Sequence, residues 1–284
     1  MSEPSLHRLS KLMSQRGLCS RREADRYIEQ GLVRVNGETV NTLGVKFADD
    51  VKIELTAVAQ QQQNTRLTVM LNKPVGYVSG QAEDDYIPAV RLVRNENRSK
   101  LDQSKIPVND YTLAKAHDLA PAGRLDIDSQ GLLILTQDGR VAKLLVGENS
   151  PVEKEYLVRV EGDISSDKIK QLQYGLKLDG KALKRAKVSQ INPEQLKIIL
   201  TEGKKRQIRR MCEAVGLSVT GLKRVRIGEL RLGKLAEGEW RVVKIEEFLH
   251  GSNASVKTPN NSAKKPRSKR SSRHNSKNFN PRRK

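Results

Sequence analysis

The chain has 284 residues, enough for about two domains, and its 53 Lys and Arg against 33 Asp and Glu leave a formal charge of +20. Such an excess points to a polyanionic partner, nucleic acid above all. It comes with two cysteines, Cys19 and Cys212, whose spacing suits neither a disulfide framework nor a zinc site, and with no signal-peptide core or membrane-length apolar run.

The first elements are expected within residues 5–55. Leu9, Leu12 and Met13 carry the apolar stripe of a short helix ending near Gly17. Ser20 with Glu23 three residues on forms a capping box that opens a second helix, with Ala24 and Ile28 on its apolar side and Gly31 at its end. Val33 and Val35, the turn signal Asn36-Gly37, and Thr39-Val40 then read as a small hairpin. Residues 56–66 are polar and Gln-rich and are expected to form a linker.

A second domain is expected over residues 67–250. Its strands are sought at Leu67–Leu71, Gly131–Thr136, Tyr156–Val160 and an antiparallel pair at Lys187–Val188 and Leu196–Leu200. Between the first two, residues 82–118 are weakly periodic and read as a long insertion with one helical piece. Lys205–Val215 is expected as a helix, apolar at Ile208, Met211 and Cys212 and basic at Arg206, Arg209 and Arg210. Leu222–Leu232 and Trp240–Val243 should close the sheet. The fold class that follows is α+β, with a mixed, largely antiparallel sheet. Residues 251–284 hold eleven of the net positive charges and no acid, and are expected to be a disordered basic tail.

The sharpest local feature is Gly123-Arg124-Leu125-Asp126, an acid in a glycine-bounded turn just before an apolar strand. Spacing alone leaves two readings open. Asp126 either caps its turn or pairs with Arg124, or it faces a cleft and does chemistry.

GRLDIDSQGLLILTQDG resembles the catalytic motif of the RsuA-type ribosomal RNA pseudouridine synthases. NKPVGYVSG at Asn72–Gly80, KEYLVRV at Lys154–Val160 and EGKKRQIRRM at Glu202–Met211 resemble that family's other motifs, in the same order. RLSKLMSQRGLCSRREADRYIEQGLVRVNGE is similar to an S4-type RNA-binding domain, and CSRREADRYIEQG is closest to the family's large-subunit branch.

The resemblance implies an enzyme that needs no metal or cofactor, with Asp126 as its carboxylate, Tyr156 as the aromatic that meets the flipped base, and Arg209 salt-bridged to Asp126. Arg124, Lys154 and Arg206 are the candidate substrate-binding residues. Lys73 and Pro74 are expected to shape the cleft. Arg8, Lys11, Arg21, Arg22, Arg26 and Arg34 form a basic surface that would contact RNA phosphates. The implied partner is ribosomal RNA, of the 23S type, with a transfer RNA as a further candidate, met by a cytosolic monomer. The competing reading is a noncatalytic RNA-binding or ribosome-assembly factor on the same fold.

Overall fold

The computed structural model describes residues 5–80, 85–104, 119–147 and 150–248. The basic tail expected at 251–284 lies outside them, as do residues 82–84 and 105–118 of the expected insertion.

The N-terminal part runs β1 (His7–Arg8), α1 (Leu9–Gln15), α2 (Arg21–Glu29), β2 (Val33–Val35), β3 (Glu38–Val40), β4 (Lys46–Phe47), β5 (Ile53–Leu55) and α3 (Ala57–Asn64). The capping box is present: the Glu23 amide donates to Ser20 Oγ at 3.3 Å, and the Ser20 amide donates to Glu23 Oε2 at 2.6 Å. Asn36 and Gly37 both have positive φ, 51° and 93°, the backbone of a two-residue hairpin turn between β2 and β3. Leu9, Met13, Ala24, Ile28, Val33 and Val35 close a small apolar core.

Where a linker was expected, α3 stands. Ala and Gln are good helix formers, and Thr56 caps the helix through the Ala59 amide at 3.4 Å. Ala59 is fully buried in the N-terminal core, and Gln63 donates to the Leu18 carbonyl at 2.7 Å. A single small apolar residue gives too little periodicity to announce this helix.

The remainder runs β6 (Thr68–Lys73), β7 (Ala120–Pro121), β8 (Gln130–Thr136), α4 (Gly139–Val146), β9 (Lys154–Glu161), α5 (Ser166–Gln173), β10 (Lys177–Leu178), β11 (Lys181–Ala182), β12 (Lys187–Asn192), β13 (Gln195–Leu200), α6 (Gln207–Ala214), β14 (Ser218–Ile227), β15 (Leu230–Arg231) and β16 (Trp240–Val242). Nine of these strands form one sheet, ordered β12-β13-β9-β14-β8-β6-β16, with β15 added to β14 and β7 to β8. The pair β14–β8 is parallel and the other ladders of this sheet are antiparallel. The fold is α+β, as expected. Residues 85–104 of the insertion contribute two 3-10 turns, Ala89–Leu92 and Asn95–Asn97.

The central strands are buried on both faces. Along β8, Leu133 and Leu135 enter one apolar cluster, while Leu132 and Ile134 enter the other. This accounts for the unbroken apolar run in GLLILT, since a strand covered on both sides has no polar face to show. Each such leucine contributes about 1.5–3 kcal/mol of burial. On β9 burial alternates, and Tyr156, Val158 and Val160 face the first cluster only. Ile208, Met211 and Cys212 of α6 cover that face, and Val141 and Leu145 of α4 cover the other. The helices α4 and α5 were not foreseen: each spans only about two turns, and α5 has just Ile169 and Leu172 to mark its period.

Candidate active site

The loop before β8 carries Asp126, and its backbone is bound residue by residue. Arg224 Nη1 donates to the Arg124 carbonyl at 3.2 Å, and Ser79 Oγ donates to the Leu125 carbonyl at 2.6 Å. The Ser129 amide donates to the Asp126 carbonyl at 3.1 Å, and the Gly76 amide donates to that of Ile127 at 2.9 Å. Arg209 Nη2 then donates to the Asp128 carbonyl at 2.9 Å. Five consecutive carbonyls are therefore each taken by a named donor. These donors come from the first motif, the loop itself, α6 and β14, so segments far apart in sequence converge here.

The Asp126 side chain is half-buried, and its carboxylate makes no hydrogen bond or ion pair among the described residues. The backbone around Asp126 is thus fixed, while its carboxylate stays open among the described residues. Leu125 beside it is buried in the same apolar cluster as Tyr156.

The salt bridge expected between Arg209 and Asp126 is not the one formed. Arg209 pairs with Asp128 Oδ1 at 3.2 Å, and Arg206 grips the same carboxylate at 3.3 and 3.0 Å. The reason is loop geometry: Arg209 also binds the Asp128 carbonyl and that of Val219, which fixes its fork beside residue 128. Burial pushes the Asp128 pKa up, but the Arg206 hydrogen bonds and the charges of both arginines outweigh it and hold the carboxyl below its ordinary pKa. Arg206 sits at the N-cap of α6 with φ of 50°.

Tyr156 lies on β9, 8% exposed, directly across from Arg224 of β14 and Ile198 of β13. Lys154, two residues before it, is buried and donates to the Val152 carbonyl at 3.3 Å. Burial, then the charges of Arg224 and Lys184, push its pKa down. The side chain expected to meet substrate is thus withdrawn into the sheet. Arg124 is exposed at the head of the loop. Lys73, fully buried, donates to the Pro74 and Tyr77 carbonyls at 2.8 Å each and so holds the turn of the first motif. Its pKa is lowered to about 8 by burial, opposed by the nearby charges of Asp128 and Asp126.

The chain matches the RNA pseudouridylate synthase family over residues 67–214 and an S4 domain over residues 7–48. It is 37% identical over 244 residues to the dual-specificity RNA pseudouridine synthase RluF of Escherichia coli K12, covering 85% of this chain and 77% of that one. The chain belongs to the RNA pseudouridine synthase family.

The ribosomal large subunit pseudouridine synthase B of Bacillus subtilis is 31% identical over 262 residues, covering 88% of this chain and all of the relative. A crystal structure of a pseudouridylate synthase superposes with a TM-score of 0.58 at 28% identity, covering 85% of this chain and 97% of that one. This synthase is accordingly an isomerase that acts on uridine in RNA, with an S4 domain at its N-terminus.

On the S4 domain, Arg8, Arg21, Arg22, Arg26 and Arg34 are exposed, whereas Lys11 is half-buried with its Nζ 3.0 Å from His7 Nδ1. Residue-level reasoning missed Ser79 and Arg224 as parts of the site. Ser79 lay inside a quoted motif without a role. Arg224 had a signal: Leu222, Arg224 and Arg226 alternate along a strand, so an arginine falls on an inward position.

Proposed function

We propose that this synthase converts a uridine of structured ribosomal RNA, of the 23S type, to pseudouridine, with Asp126 as the catalytic carboxylate. Support for the carboxylate comes from one observation: five successive loop carbonyls are bound while the acid they carry is left open. The reaction breaks the bond from uracil N1 to the ribose, turns the base, and rejoins it through C5. A carboxylate held at a fixed place can act as nucleophile or base in that sequence. The target must leave its stack to reach the loop. Tyr156 would pack against the flipped base. Arg209 would act through Asp128, as a positioning residue for the loop, and Arg124 would meet the target nucleotide. The exposed arginines of the S4 domain, within residues 5–55, would hold the RNA by its phosphates.

Support for the ribosomal substrate is the likeness to the two named relatives, one dual-specificity and one acting on the ribosomal large subunit. Two measurements test the reading. Pseudouridines are mapped in ribosomal and transfer RNA from cells with and without the gene, and loss from 23S RNA is expected. Loss from a transfer RNA alone would replace the ribosomal substrate. In the second, Asp126→Asn should bind RNA as the parent does and form no pseudouridine; retained turnover would remove Asp126 from the mechanism.

A further inference from the structure

Residues 174–187 carry a dense run of exposed positive charge. Lys177, Lys181, Lys184, Arg185 and Lys187 are all exposed, against one acid, Asp179. Asp179 is itself taken, because Arg210 of α6 grips it through two hydrogen bonds of 3.0 and 2.6 Å. Lys187 is paired with Glu153 at 2.6 Å. The other four cations have no carboxylate partner among the described residues. These four leave the segment with a positive surface that an outside anion could meet without breaking an ion pair.

The segment is also anchored in the core and tied to the helix that carries Arg209. Leu178, Leu183 and Ala186 anchor it in the main apolar cluster, and the Ala186 amide donates to the Gln173 carbonyl at 3.0 Å. Arg185 lies over the Tyr174 ring, 4.3 Å from its centroid, which holds that guanidinium in place. Cations already ordered on a scaffold lose less entropy when they bind. The Asp179–Arg210 bridge fixes the hairpin to α6, the helix that also carries Arg209. At the other end, the Lys184 charge is felt by buried Lys154, two residues from Tyr156.

We infer that this hairpin is a second RNA-docking surface, which grips backbone phosphates of the substrate strand beside the target nucleotide. The inference rests on the reading of the chain as an RNA-modifying enzyme and extends its footprint beyond the S4 domain. Phosphate contacts of this kind position the RNA without reading its bases.

The test uses the full-length synthase and stem-loop fragments of 23S ribosomal RNA. The triple variant K177A/K181A/K184A removes three exposed side chains and should keep the parent's melting temperature. A charge-matched control, K100A/K234A/K244A, removes three exposed lysines placed near β15 and β16. Each lost phosphate contact lowers the slope of log affinity against log salt by about 0.7–0.9. The hairpin variant should lose roughly 2 from that slope and raise KM about tenfold, with kcat at saturating RNA unchanged. A slope equal to that of the control would overturn the docking role. Absence of pseudouridine with the parent protein would count against the enzymatic reading instead, and the binding arm would still report on the hairpin.

Discussion

The loop around Asp126 and the start of α2 are both closed by hydrogen bonds, yet the bonds come from opposite distances along the chain. Ser20 is satisfied by Glu23, three residues away. Leu125 is held by Ser79, 46 residues away, Asp128 by Arg209 at 81, and Arg124 by Arg224 at 100. The helix α2 is therefore a local structure with exposed charge hung on it. The loop that carries Asp126 is a joint product of the first motif, α6 and β14. Changes at the two places should differ accordingly, in kind as well as in size.

The largest effect is expected at Gly131, where β8 meets β14 in the one parallel pairing of the sheet. Its φ is +104°, and a Cβ there would run into the backbone of Arg224. Gly131→Ala combines backbone strain with overpacking between two core strands, and should destabilise the protein by more than about 3 kcal/mol. A thermal melt checks it. A variant with the parent's melting temperature would mean that the strands can separate without cost, and the loop would not be held as described.

Next comes Ser79→Ala. Ser79 is buried, donates to the Leu125 carbonyl at 2.6 Å and accepts from its amide at 2.9 Å. Removing the hydroxyl leaves two buried polar groups without partners, at a cost of about 1–3 kcal/mol in stability. The loop then loses one of its five fixed carbonyls, so kcat should fall about tenfold or more while RNA affinity stays unchanged. A change in affinity with kcat intact would assign Ser79 to RNA contact and would blur the contrast with α2.

The same contrast explains what was legible in the sequence. The capping box of α2, the Asn36-Gly37 turn and the strand GLLILT were readable because a few adjacent residues determine each of them. Asp126 was readable as a candidate from its motif. The partner of Arg209 was not, since choosing between Asp126 and Asp128 depends on where α6 lies against the loop, which no local pattern encodes. Ser79 and Arg224 escaped for the same reason. The helix α3 escaped for another: its tertiary contacts are a buried Ala59 and one side-chain amide, neither of which leaves a periodic mark.

The smallest effect is expected from the local region. Arg21 and Arg22 are exposed in the first turn of α2, and the capping box closes the helix without them. Arg21→Ala with Arg22→Ala should therefore leave the melting temperature and kcat as they are. If each arginine neutralises one phosphate, the salt slope of RNA binding falls by about 1.5 and affinity drops severalfold at low salt. A matching loss of kcat would mean that the S4 domain orients the target base as well as holding the RNA, so that the two regions act as one. An unchanged slope would move the docking face of this domain elsewhere, to the side that carries Arg8 and Arg34.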